Sequence, residues 1–177
     1  MGRILIDKEE TVMKRLLVLD QKNYTDEMAV YERYCVRAVI IRDGKIAAQK
    51  GAAGDYKILG GGMDEGENVI DALCREAEEE SGLLIRRDSV REIGEILEMR
   101  KDIFDSKVKY ICHTLYYRCE ADTAMGHMNL TRSEIEKGYK FVWATPAEII
   151  AGNGQFLYQP WILRDSRFVQ IYVTGAV

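Results

Sequence analysis

Zinc ligands are scarce in this chain of 177 residues. It contains two histidines, His113 and His127, and none of its cysteines form a Cys-x-x-Cys pair. Because structural zinc sites need closely spaced thiolates and imidazoles, we expect no zinc site. The four cysteines are interpreted as buried, reduced thiols: Cys35, Cys74, Cys112 and Cys119.

Long apolar runs are also missing. The best candidate, residues 149–163, is interrupted by Gly152, Gly154 and Pro160, so it cannot span a bilayer. Charged residues from Asp7 to Glu10 fall where the apolar part of a signal peptide would have to lie. We therefore expect no membrane association and a cytoplasmic location.

The chain has no excess of positive charge. Its 25 Lys and Arg residues are outnumbered by 29 Asp and Glu residues, which gives a net charge of −4. General nucleic-acid binding needs a basic face and is not expected. A phosphate substrate would need a bound divalent cation to reverse the local field.

The sequence instead contains a mixture of strand and helix patterns. A helix is predicted over residues 68–81, and two more begin near Pro146 and Pro160. Strands are predicted at residues 14–20, 34–42, 45–50, 90–101, 107–121 and 139–144. These patterns predict an α/β (α+β) fold with a mixed β-sheet, as a single domain over residues 1–177. Residues 1–33 are interpreted as an added N-terminal strand or arm.

The helix over residues 68–81 has clear ends and a clear apolar arc. Asn68 is a good N-cap, and Gly82 follows the last turn, where a left-handed residue ends a helix. At 3.6 residues per turn, one arc is expected to face the core; it contains Ile70, Leu73, Cys74 and Ala77.

Three glutamates share another face of this helix. Relative to Glu76, Glu80 lies about 40° around the axis and Glu79 about 60° the other way. Glu78 is expected to point elsewhere, into solvent. Such a cluster is usually an exposed acidic face, but carboxylate oxygens that converge on one point also hold Mg²⁺.

The surrounding residues resemble the Nudix hydrolase signature. That signature is Gly, five residues, Glu, seven residues, Arg-Glu, an apolar residue, any residue, Glu-Glu, any residue, Gly and an apolar residue. This chain matches every fixed position between Gly61 and Leu83. The family often has Pro-Gly-Gly before the loop, where this chain has Leu59-Gly60-Gly61, a difference in stiffness rather than in chemistry.

The resemblance implies a Nudix-type α/β/α sandwich and a site that uses Mg²⁺ or Mn²⁺. It implies that Arg75 orients Glu79 and that Glu67 braces the loop. The metal ligands implied by the family are Glu76, Glu79 and Glu80, with a loop carbonyl near Gly61.

The resemblance also implies a general base, which is either a signature glutamate such as Glu79 or a glutamate outside the signature. The segment before Trp143 resembles the family stretch that often supplies this base. Glu134 is the first candidate and Glu136 the second, although both also fit exposed loop charges.

We therefore predict an Mg²⁺-dependent hydrolase that cleaves the diphosphate linkage of a nucleoside diphosphate joined to another moiety. The expected partner is a small nucleotide or diphosphate substrate, and homodimer formation is left open. The alternative is a non-catalytic Nudix-like domain that senses a nucleotide; such domains usually lose signature glutamates. Motifs of the ADP-ribose, NADH, coenzyme A and dinucleoside polyphosphate groups are missing, so the substrate is not assigned.

Overall fold

The computed structural model describes residues 13–175. Four α-helices lie within them: α1 (Val69–Ser81), α2 (Arg132–Glu136), α3 (Pro146–Asn153) and α4 (Pro160–Val173). The strands of the same region are β1 (Arg15–Asp20), β2 (Ala29–Arg42), β3 (Lys45–Lys50), β4 (Tyr56–Ile58), β5 (Leu83–Ile85), β6 (Arg91–Lys101), β7 (Val108–Cys119), β8 (Ala121–Met125) and β9 (Lys140–Ala144).

Seven of the strands form one mixed sheet in the order β1-β6-β7-β2-β3-β4, with β9 pairing to β3. The pairs β1–β6 and β2–β7 are parallel, and the other pairs in this sheet are antiparallel. A separate two-stranded sheet joins β5 to β8. The mixed sheet predicted from the sequence is confirmed.

Alternation along the central strands fills two cores, one on each face of the sheet. On one face, Tyr117 and Val36 lie in the core cluster that includes Leu73 of α1. On the other face, Tyr116 stacks on Phe168 of α4 with ring centroids 3.9 Å apart. Helices therefore cover both faces, which confirms the α/β/α sandwich.

The N-terminal part of the sheet differs from the expectation. Strand β2 begins at Ala29 rather than at residue 34, and β1 adds to the sheet edge in parallel with β6. Within residues 1–33, the structure describes the chain from residue 13 onward, and β1 is the strand found there. Residues 1–12 lie outside the described residues. Strand β2 continues because its first residues pair with β7 from Val108 onward, a long-range ladder that local patterns do not show.

The segment before Trp143 contains a helix that was expected to be a loop. Helix α2 begins after Thr131, whose side chain accepts from the Glu134 backbone N–H, while the Glu134 side chain accepts from the Thr131 backbone N–H. This reciprocal capping box is visible in the sequence as Thr-x-x-Glu. The same device begins α3 at Thr145 and Glu148, where the helix was predicted.

No helix among residues 13–175 is long and apolar enough to cross a membrane.

Candidate active site

A glycine loop lies between β4 and α1 and is tied to the backbone of β2. The Val36 N–H donates to the Gly61 carbonyl, and the Ala38 N–H to the Leu59 carbonyl, both at 2.9 Å. Gly60 has a φ of 136°, and a Cβ there would lie 2.1 Å from the Val36 carbonyl oxygen. A Cβ on Gly61 would lie 2.5 Å from both carboxylate oxygens of Glu76. The loop therefore approaches the helix as closely as only glycine permits.

Helix α1 ends as predicted, but its buried arc is rotated. Asn68 accepts from the Asp71 N–H, and Gly82 ends the helix in the left-handed conformation. Ile70 and Cys74, both expected to face the core, are only half-buried. The buried residues are Ala72, Leu73, Ala77, Glu80 and Ser81. Glu80 is part of the buried arc because its carboxylate accepts from the Gly60 N–H of the loop.

Glu80 is the most deeply buried of the signature glutamates. Its Oε2 accepts from the Gly60 N–H at 2.7 Å, and its Oε1 lies 3.8 Å from Lys57 Nζ. Burial raises the pKa of Glu80 to about 8, although Lys57 and Arg37 act in the opposite direction. A carboxylate in this position is stabilised when a positive charge comes close.

Arg75 holds the other two candidate ligands. Its Nη1 donates to Glu76 at 2.7 Å and to Glu79 at 3.4 Å. Burial raises the pKa of Glu76 despite this partner. Glu76 and Glu80 both line the cleft that opens beside the loop. Glu79, whose side chain is 36% exposed, is not part of that lining.

Glu67 fixes Arg75 and the loop together. It accepts from Arg75 Nε and Nη2, both at 2.8 Å, and from the Asp64 N–H at 3.0 Å. Arg75 Nη2 also donates to the Gly62 carbonyl at 3.1 Å. These contacts brace the loop against the first turns of α1. The hydrogen bond from Arg75 lowers the pKa of Glu67.

Glu78, expected in solvent, is half-buried and accepts from the His127 N–H at 3.2 Å. The reason is the β5–β8 sheet, which brings Gly126 and its neighbours against this side of α1. That sheet was not predicted, because β5 has three residues and its partner is 38 positions further along the chain.

Glu134 faces the cleft and Glu136 does not. The Oε1 of Glu134 lies 3.3 Å from Lys57 Nζ, and its side chain is 12% exposed. Burial raises its pKa, but hydrogen bonds from Thr131 and Glu80 and the charge of Lys57 outweigh this and bring it to about 2. Glu136 is exposed and pairs with Arg132 at 2.8 Å.

The donor set suits a divalent cation, although Arg75 holds part of it. Across residues 13–175, no three acidic, histidine or cysteine side chains already lie in a metal-binding arrangement. The Arg75 guanidinium fixes two of the three carboxylates, so a cation would have to replace those contacts. Carboxylate and carbonyl oxygens are nevertheless the ligands that Mg²⁺ prefers, and the absence of a Cβ on Gly61 lets the Glu76 carboxylate lie against the loop.

The cleft has a volume of about 740 Å³ and is rich in cations that the sequence analysis missed. Arg37 lies 3.4 Å from Asp165 and also donates to the Gly60 carbonyl. Arg164 lies 3.5 Å from Asp165 and 3.7 Å from Glu98. Burial acts against it, but the charges of these two arginines lower the pKa of Asp165. Both arginines are therefore occupied by buried carboxylates.

Arg33 is different because no carboxylate of the described residues pairs with it. It lines the cleft, and its guanidinium lies over the loop, where a Cβ on Gly62 would be 2.3 Å from Nη2. Arg33, Cys35 and Arg37 alternate along β2 and so share one face of the strand. The sequence shows this alternation but does not show that this face of β2 lines a cleft.

The chain belongs to the Nudix family, because the NUDIX domain family model matches residues 32–164. Members of this family are typically pyrophosphohydrolases that use divalent metals. A comparison with proteins of curated function finds no match.

One of the similar solved structures supports this fold. The chain is similar to a NUDIX hydrolase from Nitrosomonas europaea, with a TM-score of 0.56 and 20% identity over 82% of this chain and 90% of that one. It is also similar to a MutT NUDIX hydrolase from Burkholderia pseudomallei, with a TM-score of 0.48 and 23% identity over 66% and 85% of the two chains.

Proposed function

We propose that the protein is an Mg²⁺- or Mn²⁺-dependent hydrolase, built as one Nudix domain. Its proposed substrate is a nucleoside diphosphate linked to another moiety, and the diphosphate linkage is the bond that it cleaves. The observation that carries the proposal is the pair of signature carboxylates, Glu76 and Glu80, set against a glycine loop in an open cleft.

The carboxylates need a positive charge to be ionised together in this position. Burial raises the pKa of both Glu76 and Glu80, so a cation beside them would stabilise their charged forms. A divalent cation would supply that charge, neutralise the diphosphate and make a water molecule more acidic. The residues proposed to hold it are Glu76, Glu79, Glu80 and the carbonyl of Gly61.

Arg75 positions these ligands in the proposal. Glu67 and the Gly62 carbonyl fix the Arg75 guanidinium, which holds Glu76 and Glu79 at defined places in the metal-free chain. A bound cation would replace the contacts with Glu76 and Glu79, while those with Glu67 and Gly62 would remain. Arg33 has no acidic partner in the described part of the chain, and its guanidinium matches phosphate geometry. We propose that Arg33 binds a phosphate group of the substrate beside the glycine loop.

Glu134 is the proposed general base. Two glutamates outside the signature line the cleft, Glu98 and Glu134. Glu98 is held by Arg100 and Arg164, whereas Lys57 links Glu134 to Glu80 across the site. A pKa of about 2 makes it a weak proton acceptor, so its catalytic contribution should fall at the low end for a base. Lys57 keeps both carboxylates in place while a proton is accepted.

The test is hydrolysis of a panel of dinucleotides, sugar nucleotides and nucleoside triphosphates, with products identified by mass spectrometry. We expect cleavage within a diphosphate linkage that stops on exhaustive chelation and returns when Mg²⁺ is added. Turnover that continues after chelation contradicts the metal requirement. Tight nucleotide binding with no turnover, with Mg²⁺ or with Mn²⁺, supports the sensing domain instead.

A further inference from the structure

Two cysteines face each other in the wall of the cleft. Cys35 of β2 and Cys112 of β7 lie diagonally on neighbouring parallel strands, because Cys35 pairs with Thr114 and Cys112 with Arg33, and their sulfur atoms are 3.7 Å apart. Cys35 lines the cleft and is 5% exposed, whereas Cys112 is fully buried behind it. A small reagent that enters the cleft therefore meets the Cys35 sulfur first, with the Cys112 sulfur in contact on its far side.

The groups around the pair favour a thiolate at the buried position. Arg164 Nη1 lies 3.8 Å from the Cys112 sulfur, and the Thr114 hydroxyl lies 3.6 Å from it. The hydrogen bond with Cys35 and the charge of Arg164 lower the pKa of Cys112, against the effect of burial. The same hydrogen bond, together with burial, raises the pKa of Cys35, so Cys112 is the sulfur that ionises more readily. Thiolate character next to a second thiol is what disulfide formation requires.

We propose that Cys35 and Cys112 form an oxidation site, in which a peroxide converts the two thiols into a disulfide that alters the adjacent metal end of the cleft. The Cys35 proton passes to the Cys112 thiolate across the sulfur–sulfur contact, and the Cys35 sulfur then attacks one peroxide oxygen. The O–O bond breaks, Cys35 becomes a sulfenic acid, and hydroxide leaves. The Cys112 sulfur then attacks the Cys35 sulfur, the S–S bond forms, and the second hydroxide leaves with the Cys112 proton as water. The first hydroxide takes up the proton that the pair had released to solvent, so overall two thiols and one peroxide give one disulfide and two waters.

The effect on the cleft follows from the backbone of Cys35. Cys35 forms a bridge with Gly62, and its neighbours also hold the loop, because the Val36 N–H donates to Gly61 and Tyr34 accepts from Met63. A disulfide needs the sulfurs at about 2 Å, so they must approach by more than about 1 Å. Part of that movement passes to β2 and to the glycine loop that it holds.

The consequence for activity rests on the proposed function. A misplacement of about 1 Å at a catalytic site can cost about 10²-fold in rate, so we expect oxidation to lower kcat/KM by at least about tenfold. Reduction with dithiothreitol should restore it, because a disulfide is reversible and the higher oxidation states of a thiol are not.

The site itself is tested without any measurement of activity. The full chain is treated with hydrogen peroxide, remaining thiols are blocked, and digested peptides are mapped by mass spectrometry before and after reduction. We expect a reducible crosslink between the peptides that carry Cys35 and Cys112. Cys119→Ser and Cys74→Ser are the matched controls and should keep the crosslink, whereas Cys35→Ser and Cys112→Ser should each abolish it.

The outcomes separate the oxidation site from the proposed function. No crosslink in the wild-type chain, or modification of Cys74 alone, overturns the oxidation site even if hydrolysis is normal. A crosslink that leaves kcat/KM unchanged overturns the link to the metal end of the cleft. A crosslink in a chain that hydrolyses nothing supports the site and counts against the proposed function alone. The wild-type map decides the question even if a serine variant does not fold.

Discussion

Replacing Glu80 with glutamine separates the chemical role of the signature from its structural role. The substitution keeps the size and shape of the side chain but removes its charge. Its amide oxygen can still accept from the Gly60 N–H, which lies 2.7 Å from Glu80 Oε2. What it loses is a charged ligand for a divalent cation.

The two effects differ widely in size. We expect kcat to fall by at least about 10²-fold, equivalent to roughly 2.7 kcal/mol of barrier. The free energy of unfolding should change by no more than about 1 kcal/mol, since a net hydrogen bond is worth about that much and the bond to Gly60 is kept. Lys57 loses a charged neighbour at 3.8 Å but keeps Glu134 at 3.3 Å.

The assay measures turnover at saturating Mg²⁺ and thermal melting of the metal-free chain, both on the same preparations. Glu78→Gln is the matched control, because Glu78 lies on the same helix and binds the His127 N–H outside the cleft. Turnover of Glu80→Gln within threefold of the wild type would refute the role of Glu80 as a ligand. A large fall in melting temperature together with lost turnover would make Glu80 a structural residue.

Glu134→Gln should lower kcat by about 10²-fold, the low end for general-base catalysis, because its pKa is about 2. Glu136→Gln should turn over normally. If the two variants turn over at equal rates, the general base is one of the signature glutamates instead of Glu134. Arg33→Gln should lower kcat/KM by about 10- to 10²-fold, since a hydrogen bond to a charged group is worth about 1.5–3 kcal/mol. The control is Arg167→Gln, because Arg167 is exposed. If the two variants have the same kcat/KM, Arg33 does not bind the substrate. Asp165→Asn should lose about 3–5 kcal/mol of stability at pH 7 in chemical denaturation, because buried Arg37 loses its carboxylate partner and buried Arg164 keeps only Glu98. The depressed pKa of Asp165 stabilises the wild type above about pH 4, and this contribution is lost as the pH falls through the folded-state pKa, so the difference between the two proteins should shrink in acid.

Local chemistry predicted some elements of the fold well and others badly. Helix α1 was placed by Asn68 and Gly82, and α3 by Thr145 and Pro146, because caps act within one turn. The start of β2 and the three-residue strands were missed, since their stability depends on partners distant in sequence. Helix α2 could have been predicted, because its capping box, Thr131 with Glu134, is visible in the sequence.

The sequence likewise predicted the site residues that share one local segment and missed those that come from distant elements. The spacing of the signature placed Glu76 and Glu80 together because one helix carries both, and it placed Glu67 within reach of Arg75. The cations of the cleft come from β2, β4, β6, the end of α2 and α4, and no spacing rule connects these elements. Only the sheet order shows that Arg33 lies beside the loop.

The charge distribution also answers how a chain with a net charge of −4 can receive an anion. The buried arginines of the cleft, Arg37, Arg100 and Arg164, are paired with two buried carboxylates, Asp165 and Glu98. Lys57 is shared between two glutamates. Arg33 and Lys137 also line the cleft, and neither has a carboxylate partner among the described residues. The cations of the cleft therefore offer an anion local positive charge although the chain as a whole is negative, and a divalent cation bound at the signature carboxylates would add to it.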